Sequence, residues 1–387
     1  MKIAYLLGSL NRGGTETLLL DVFRNATQNG LDAVCFYRKT GVLEPEFVSS
    51  GVRMHRIAFS KNIAGYLLRL RKALIREKAE LVHAQQPIDA LYAYWACMGL
   101  KKRIVLTFHG YDYTDGKVGQ AILRYIIRRT DGNIYVSNSQ REYYQQKYGL
   151  DPQKQRVVYN GISFDKLDVT HQMPATQLPA THPMTLSHQM STMSTSLRKE
   201  LMLSPNALLL GSVGNFNAVR DQLTTCHFLK LLNDKKVDFH FVFVGKRVVG
   251  LENLYDRCVE YCQENGLGKK VSFLGVRNDV PCILSELDAF IYATNHDTFG
   301  IAVVEAMAMG IPVFVNDWGV LQEITADGKY ASLYKTRDEK DLLREFMLFL
   351  HDKSQYNEKA KKAAQFVREQ YSIEKHIEKL MIVYSSE

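Results

Sequence analysis

The sequence predicts an α/β protein made of two doubly wound, parallel-sheet domains. Three observations carry this. Short apolar strands alternate with amphipathic helical stretches almost from end to end, which is the rhythm of βα units rather than of hairpins. The rhythm breaks once, between Val169 and Ser196, and then restarts. A chain of 387 residues with 46% apolar content is long enough for two cores of ordinary size.

In the first half, Lys2 to Leu7 reads as a strand and the Gly13-Gly14 turn leads into a helix from Thr15 to Thr27. Strands follow at 33–36 and 54–57. Tyr66 to Lys78 reads as a helix with Leu67, Leu70, Leu74 and Ile75 on one face and Arg69, Arg71, Lys72, Arg76 and Lys78 around the rest. A strand at 81–83, a helix at 90–98, a strand at 104–108 and a helix at 118–129 continue the pattern. Strands at 133–136 and 157–159 end it. Residues 169–196 hold no charged and no aromatic side chain and are rich in Thr, Ser, Met, Pro, Gln and His, so an irregular insertion is expected there. Beyond it come strands at 208–213, 239–244, 271–273, 289–292 and 313–315. Helices at 223–232, 253–265, 302–309, 339–350, 358–370 and 373–384 accompany them. The expected division is 1–165 for the first domain, 166–197 for the insertion and linker, and 198–370 for the second domain, with 371–387 as a closing helix.

The formal net charge is +8. Residues 1–165 hold 24 Lys and Arg against 14 Asp and Glu, and the remainder holds 25 against 27. The whole basic excess therefore lies in the first half, which suits an anionic surface such as a cytoplasmic membrane leaflet, or simply a soluble basic one. No aromatic-interleaved basic groove marks a nucleic-acid partner. No apolar run is long enough to span a bilayer, and the N-terminus reads as a strand rather than a signal peptide. Six dispersed cysteines suit reduced thiols in the cytoplasm. Cys258 and Cys262 lack a second pair, and no metal site is assigned.

The segment from Asn295 to Glu323 is the most informative. A polar loop with Asp297 enters a helical run at Phe299-Gly300-Ile301. Glu305 lies a turn or more inside it, and Gly310 and Pro312 stop it before a strand. The mouth of such a helix offers backbone N–H groups and the positive dipole end to a phosphate, and flanking carboxylates suit sugar hydroxyls. Arg220, in the loop Gly214-Asn215-Phe-Asn-Ala-Val-Arg220, places a cation where a diphosphate could be paired. Lys246, after the strand ending at Val244, either supplies a second cation or is a solvated loop lysine. Gly13 and Gly14 let backbone approach a ligand, or form a plain tight turn. His109 ends a strand at its C-terminal edge, where open α/β sheets bind ligands.

The run Asp297-Thr-Phe299-Gly300, Glu305-Ala-Met-Ala308, Gly310, Pro312-Val313 resembles the acidic-x7-Glu signature of the family 4 type, group 1 retaining glycosyltransferases, with Asp297 standing where the pattern has Glu. The resemblance implies the GT-B fold, in which two Rossmann-like domains face each other across a cleft and the last helix returns to the first domain. It also implies no cofactor beyond a nucleotide-diphosphate sugar donor, and a saccharide or lipid-linked saccharide acceptor used in surface polysaccharide synthesis. On this resemblance Gly13 and Gly14 lie beside the donor diphosphate and His109 contacts the donor sugar. Arg220 stands at the position of a phosphate-binding Lys and Asn215 at that of its partner Arg. The backbone of Val276 lines the base pocket. Asp297 and the amides of Phe299 to Ile301 hold the sugar, and Glu305 holds the ribose. Asp279 is expected to cap a helix. The resemblance further implies a metal-independent transfer in which the diphosphate oxygen serves as base. A sugar-nucleotide epimerase on the same fold and a catalytically silent saccharide-binding protein are the alternatives. The implied location is cytoplasmic, with peripheral attachment to the inner membrane face if the acceptor is lipid-linked.

Overall fold

The computed structural model describes residues 1–59, 62–112, 116–168 and 196–386. The expected irregular insertion, apart from Ser196, lies outside the described residues. All strand pairing is parallel, in two sheets. In the first, β1 (Lys2–Ser9), β2 (Asp32–Lys39), β3 (Arg53–Arg56), β4 (Leu81–Ala84), β5 (Arg103–Phe108), β6 (Gly132–Tyr135) and β7 (Gln155–Val157) are arranged in the order β3-β2-β1-β4-β5-β6-β7. In the second, β8 (Leu208–Val213), β9 (Phe239–Val244), β10 (Val271–Gly275), β11 (Ala289–Tyr292), β12 (Val313–Asn316) and β13 (Ser332–Tyr334) are arranged in the order β10-β9-β8-β11-β12-β13. Both orders reverse direction at the first strand of the sheet, and that reversal opens a crevice at the strands' C-terminal ends.

Helices cover both faces, so the central strands are apolar along almost their whole length. Every residue of Phe239–Val244 and Ala289–Tyr292 is buried. The final helix, Ile373–Ser385, packs on the first sheet rather than the second. Its Ile373, Ile377, Leu380 and Val383 join the core of Ile3, Tyr5, Val105 and Ile134, and Ile373 N–H bonds to the Ile162 carbonyl at 3.0 Å.

Several local expectations are corrected. The helix expected at 66–78 spans Ile63–Arg76 and buries Tyr66, Leu70 and Leu74, whereas Ile75 is 50% exposed. The i, i+4, i+8 stripe runs through the aromatic ring, and Ile75 falls off its edge. Nor is the basic side of this helix wholly solvated. Arg71 Nη1 bonds the carbonyls of Ala96 and Met98 at 2.9 and 2.7 Å, and Arg69 bonds that of Ala58 at 3.1 Å. The helix Asn138–Tyr148 escapes an aliphatic pattern search because Gln140, Tyr144 and Tyr148 form its buried face. Asp279 does precede the helix Val280–Glu286, but its side chain makes no cap bond. It is drawn instead to Arg277, at 2.8 Å from Nε and 2.7 Å from Nη2.

Candidate active site

The two crevices face one another, and contacts between them define a cleft. Thr298 Oγ1 donates to the His109 carbonyl at 3.0 Å. A Cβ built on Gly14 would lie 4.0 Å from Ile301 Cδ1. Glu323, from the helix Gly319–Ile324, reaches the start of the helix Asn138–Tyr148 in the first domain. Its Oε1 accepts from Asn138 N at 2.7 Å and Tyr159 OH at 2.6 Å, and its Oε2 from Ser139 N at 3.1 Å. A carboxylate at a helix N-terminus is well placed for both hydrogen bonds and dipole. This one fastens the two halves together.

On the second-domain wall, Gly300 adopts φ +86 and precedes the helix Ile301–Ala308. The left-handed turn aims the loop before it back across the mouth of the helix. Asp297 is already engaged in that loop. Its Oδ1 accepts from the amides of Thr298 at 2.8 Å and Phe299 at 3.3 Å, and Oδ2 accepts from the Tyr292 hydroxyl. The amide of Phe299 is therefore turned toward Asp297 in this structure. The Phe299 ring is core, packed against Tyr159 and Tyr371.

Arg220 lies at the centre of this wall. Its guanidinium stacks 3.5 Å from the Tyr292 ring centroid, donates to the Val213 carbonyl at 2.9 Å and stands 3.8 Å from Asp297. Only 6% of its side chain is exposed. Its buried Nε has no hydrogen-bond partner among the described residues, and such an orphan donor is costly unless a ligand completes it. Gly214 makes the approach possible, since a Cβ there would meet Arg220 Nη2 at 2.4 Å. Asn215 does not replace the missing arginine. Its Oδ1 accepts from the Lys246 backbone at 2.9 Å, tying together two loops of the wall while the Lys246 side chain stays exposed. Val276 follows β10 and is 63% exposed, leaving its backbone accessible at the strand end.

Glu305 keeps some accessible surface but is surrounded by protein. Burial raises its pKa to about 7, against the pull of Lys166 and with a smaller push from Asp21. Lys166, near the domain crossing, is hydrogen-bonded to Asp21 of the first domain.

The first-domain wall is different. The ring of His109 is hydrogen-bonded to Gln85 at 2.8 Å, and burial, aided by His376, lowers its pKa to about 3. His83 is bonded to the Tyr384 hydroxyl at 2.6 Å and Thr107 at 2.7 Å, and burial pushes it well down. Burial also takes His376 to about 4, opposed by its bond to the Tyr159 carbonyl. Gly13 precedes the helix Gly14–Arg24 in extended conformation, and a Cβ on it would meet Glu16 Oε2 at 2.6 Å.

The structure thus brings Arg220 beside Asp297, Asn215 onto the Lys246 loop, and Gly14 and His109 across from Ile301 and Thr298. Sequence reasoning missed Tyr292, the ring beneath Arg220, whose one signal was a polar aromatic at the end of a core strand.

Two family models match the chain. Glycosyltransferase Family 4 covers residues 12–166, and Glycosyl transferases group 1 covers residues 194–368. The chain is a family 4 glycosyltransferase. It is 25% identical over 321 residues to the N-acetyl-alpha-D-glucosaminyl L-malate synthase of Bacillus anthracis, spanning 80% of this chain and 75% of that one. It is 23% identical over 333 residues to the UDP-Gal:alpha-D-GlcNAc-diphosphoundecaprenol alpha-1,3-galactosyltransferase of Escherichia coli, spanning 82% and 79%. Among solved structures, Anabaena HepE in complex with UDP and glucose superposes with a TM-score of 0.82 at 17% identity over the full length of both chains. The transferase accordingly has the GT-B fold expected of its sequence.

Proposed function

We propose that the transferase moves a sugar, with retention of anomeric configuration, from a nucleotide-diphosphate sugar to a saccharide or lipid-linked saccharide in surface polysaccharide synthesis. The observation that carries this is Arg220, a buried guanidinium with an orphan Nε beside the mouth of the helix Ile301–Ala308. A fixed cation facing a helix N-terminus is suited to a diphosphate whose negative charge grows as the sugar leaves. Arg220 would supply that positive charge from the protein, without need of a metal. Glu305 would accept from the ribose hydroxyls. Asp297 would act through the loop it braces, keeping Thr298 and Gly300 in place around the sugar.

Retention fits front-face departure, in which the acceptor hydroxyl loses its proton to the departing diphosphate oxygen. His109, with its pKa lowered to about 3, is a poor proton acceptor at neutral pH and serves to position rather than to remove a proton. The test is the anomeric coupling of the product by NMR, with UDP-glucose and UDP-galactose as donors and chelator present. An inverted product, or turnover abolished by the chelator, would refute the mechanism.

A lipid-linked acceptor is favoured by the outer face of the first domain. Ile63 (46%), Leu68 (59%) and Met98 (63%) are exposed there beside the exposed Lys72, Arg76 and Lys78. Each such cation contributes about 1 kcal/mol near an anionic leaflet, and apolar side chains add interfacial contact. Co-sedimentation should show binding to anionic vesicles, little to neutral ones, and a steep fall with salt. Equal binding to both would point instead to a soluble saccharide acceptor.

A further inference from the structure

The corner where β4 gives way to the helix Pro87–Ala96 holds polar atoms that the described residues do not satisfy. Gln85, the first residue after β4, is 4% exposed. One end of its amide is hydrogen-bonded to the ring of His109, and the other, Nε2, is buried with no partner among the described residues. Asp89, one turn into the helix and 1% exposed, is ion-paired through Oδ1 with Arg38 Nη1 and leaves Oδ2 buried without a hydrogen bond among the described residues, as Arg38 Nη1 also is. These two orphans arise independently, since one belongs to the β4–β5 side of the corner and the other to the β1–β2 side.

Both lie at the C-terminal edge of the first sheet, the edge that faces the donor wall. The His109 residue that holds Gln85 also accepts from Thr298 of the donor wall. A Cβ on Gly8, at the end of β1, would come within 3.0 Å of Arg38 Nη2 and 3.5 Å of Gln86 Oε1, so bare backbone borders the same corner. Its charge balance restricts the guest. Arg38 is neutralised by Asp89, Gln85 carries no charge, and burial keeps His83 and His109 uncharged. A carboxylate or phosphate would find no net positive charge among the described residues here, because the Arg38 guanidinium is paired with the Asp89 carboxylate. A sugar hydroxyl, which both donates and accepts, matches an orphan amide and an orphan carboxylate oxygen.

We propose that Gln85 binds the acceptor, the free end of its amide hydrogen-bonding a hydroxyl of a neutral saccharide unit, with Asp89 Oδ2 completing the same subsite. This rests on the glycosyltransferase reading above and extends it to the residue that meets the acceptor. The His109 contact then places the acceptor beside the loop that holds the donor sugar.

The test uses the full chain loaded with UDP. Saturation-transfer NMR reads binding of N-acetylglucosamine, or of L-malate as the charged competitor, and calorimetry reads UDP affinity in the same samples. Gln85→Met removes both ends of the amide at nearly constant volume. Gln85→Glu keeps an acceptor for the His109 N–H while removing the donor. The expected result is sugar binding in the wild type whose apparent affinity falls roughly three- to tenfold in both variants, the loss of one neutral hydrogen bond. UDP affinity should stay within about twofold, and malate should show no binding that Gln85 controls. Unchanged sugar binding in Gln85→Glu overturns the proposal, as does a wild type that binds UDP but no sugar, or malate binding that disappears with the amide. Failure to bind UDP would instead overturn the function on which the proposal rests. Melting curves separate a misfolded Gln85→Met, and Gln85→Glu then decides alone.

Discussion

The two walls of the cleft have opposite characters, and each is opposite to the domain behind it. The first domain carries the chain's whole basic excess, yet its side of the cleft is neutral, made of histidines held uncharged and of amides and paired ions. The second domain is slightly acidic, yet its side of the cleft holds a buried arginine. Net charge on a domain is set by its solvated surface and bears on what that surface approaches. The charge in the cleft is set by a few desolvated groups and bears on what is bound there. On the proposed reading, the donor wall suits a group with growing negative charge and the acceptor wall suits hydroxyls.

The largest expected effect comes from removing the charge on the donor wall. Arg220→Ala should lower kcat by roughly 10²–10³, the cost of one preorganised charge partner, with the fold intact. Gly214→Ala tests the same point through the backbone, because its Cβ would stand 2.4 Å from the guanidinium and must displace it. If either variant turns over within a few-fold of the wild type, the donor wall does not work through Arg220. A Cβ on Gly14 meets only Ile301 Cδ1, at 4.0 Å, so Gly14→Ala should leave the fold intact, and a loss of turnover there would report how closely the donor diphosphate approaches that turn.

Glu305 comes next. With its pKa raised to about 7, it is partly protonated in the free protein at neutral pH, while ribose hydroxyls favour the carboxylate as acceptor. UDP affinity should therefore rise as pH climbs through about 7, with proton release on binding. Glu305→Gln should weaken UDP by about tenfold at pH 8 and flatten the pH profile. Stability runs the other way. A carboxyl whose folded pKa lies above its unfolded value favours folding at low pH and loses that contribution as pH rises through about 7. The melting point of Glu305→Gln should consequently gain on the wild type between pH 5 and pH 8. A pH-independent difference would remove Glu305 from the nucleotide site.

Glu323 sets the relation between the walls. Its carboxylate gathers donors from Asn138, Ser139 and Tyr159 of the other domain, and charged hydrogen bonds of this kind contribute about 2 kcal/mol. Glu323→Ala should lower the melting temperature by several degrees and open the molecule, which small-angle scattering would register as a larger radius of gyration. An unchanged radius with a lower melting point would mean that the clamp stabilises the fold without setting the closure.

Much of this contrast was legible in the sequence, but unevenly. The strands at 208–213, 239–244 and 289–292 were found to the residue because a strand buried on both faces is mostly apolar, interrupted here only by Gly211, Ser212 and His240. The Asp297-to-Glu305 spacing named the donor wall because its loop, helix and strand are consecutive in the chain. The acceptor wall has no such continuity. Gln85 and His109 meet only when β4 and β5 pair, Asp89 meets Arg38 only when β2 joins the same sheet, and Glu323 meets Asn138 only when the domains face each other. Tyr-rich Asn138–Tyr148 hid because its buried side is aromatic and amide. Even on the donor wall the pattern could not reveal that Phe299 N–H is turned to Asp297, which depends on the left-handed turn at Gly300.

The smallest effect probes a hydrogen bond that joins the two walls directly. Thr298 Oγ1, next to the donor loop's carboxylate, donates to the His109 carbonyl, the residue that holds the acceptor-side amide. Thr298→Val keeps the shape and β-branching and removes that donor, leaving a carbonyl that water in the cleft can reach. The loss of one neutral hydrogen bond amounts to about 0.5–1.5 kcal/mol, so kcat/KM should fall only about two- to tenfold. The distribution of the loss is the informative part. If the bond merely closes the cleft, donor and acceptor KM should rise together and Glu323→Ala should reproduce the pattern. If it aligns His109 with the sugar, kcat should fall while UDP affinity holds, and combining Thr298→Val with Gln85→Glu should cost less than the two effects added, because one holds the backbone and the other the ring of the same residue, His109. Full additivity of that pair would show that the walls are positioned independently and that the neutral side owes nothing to the charged one.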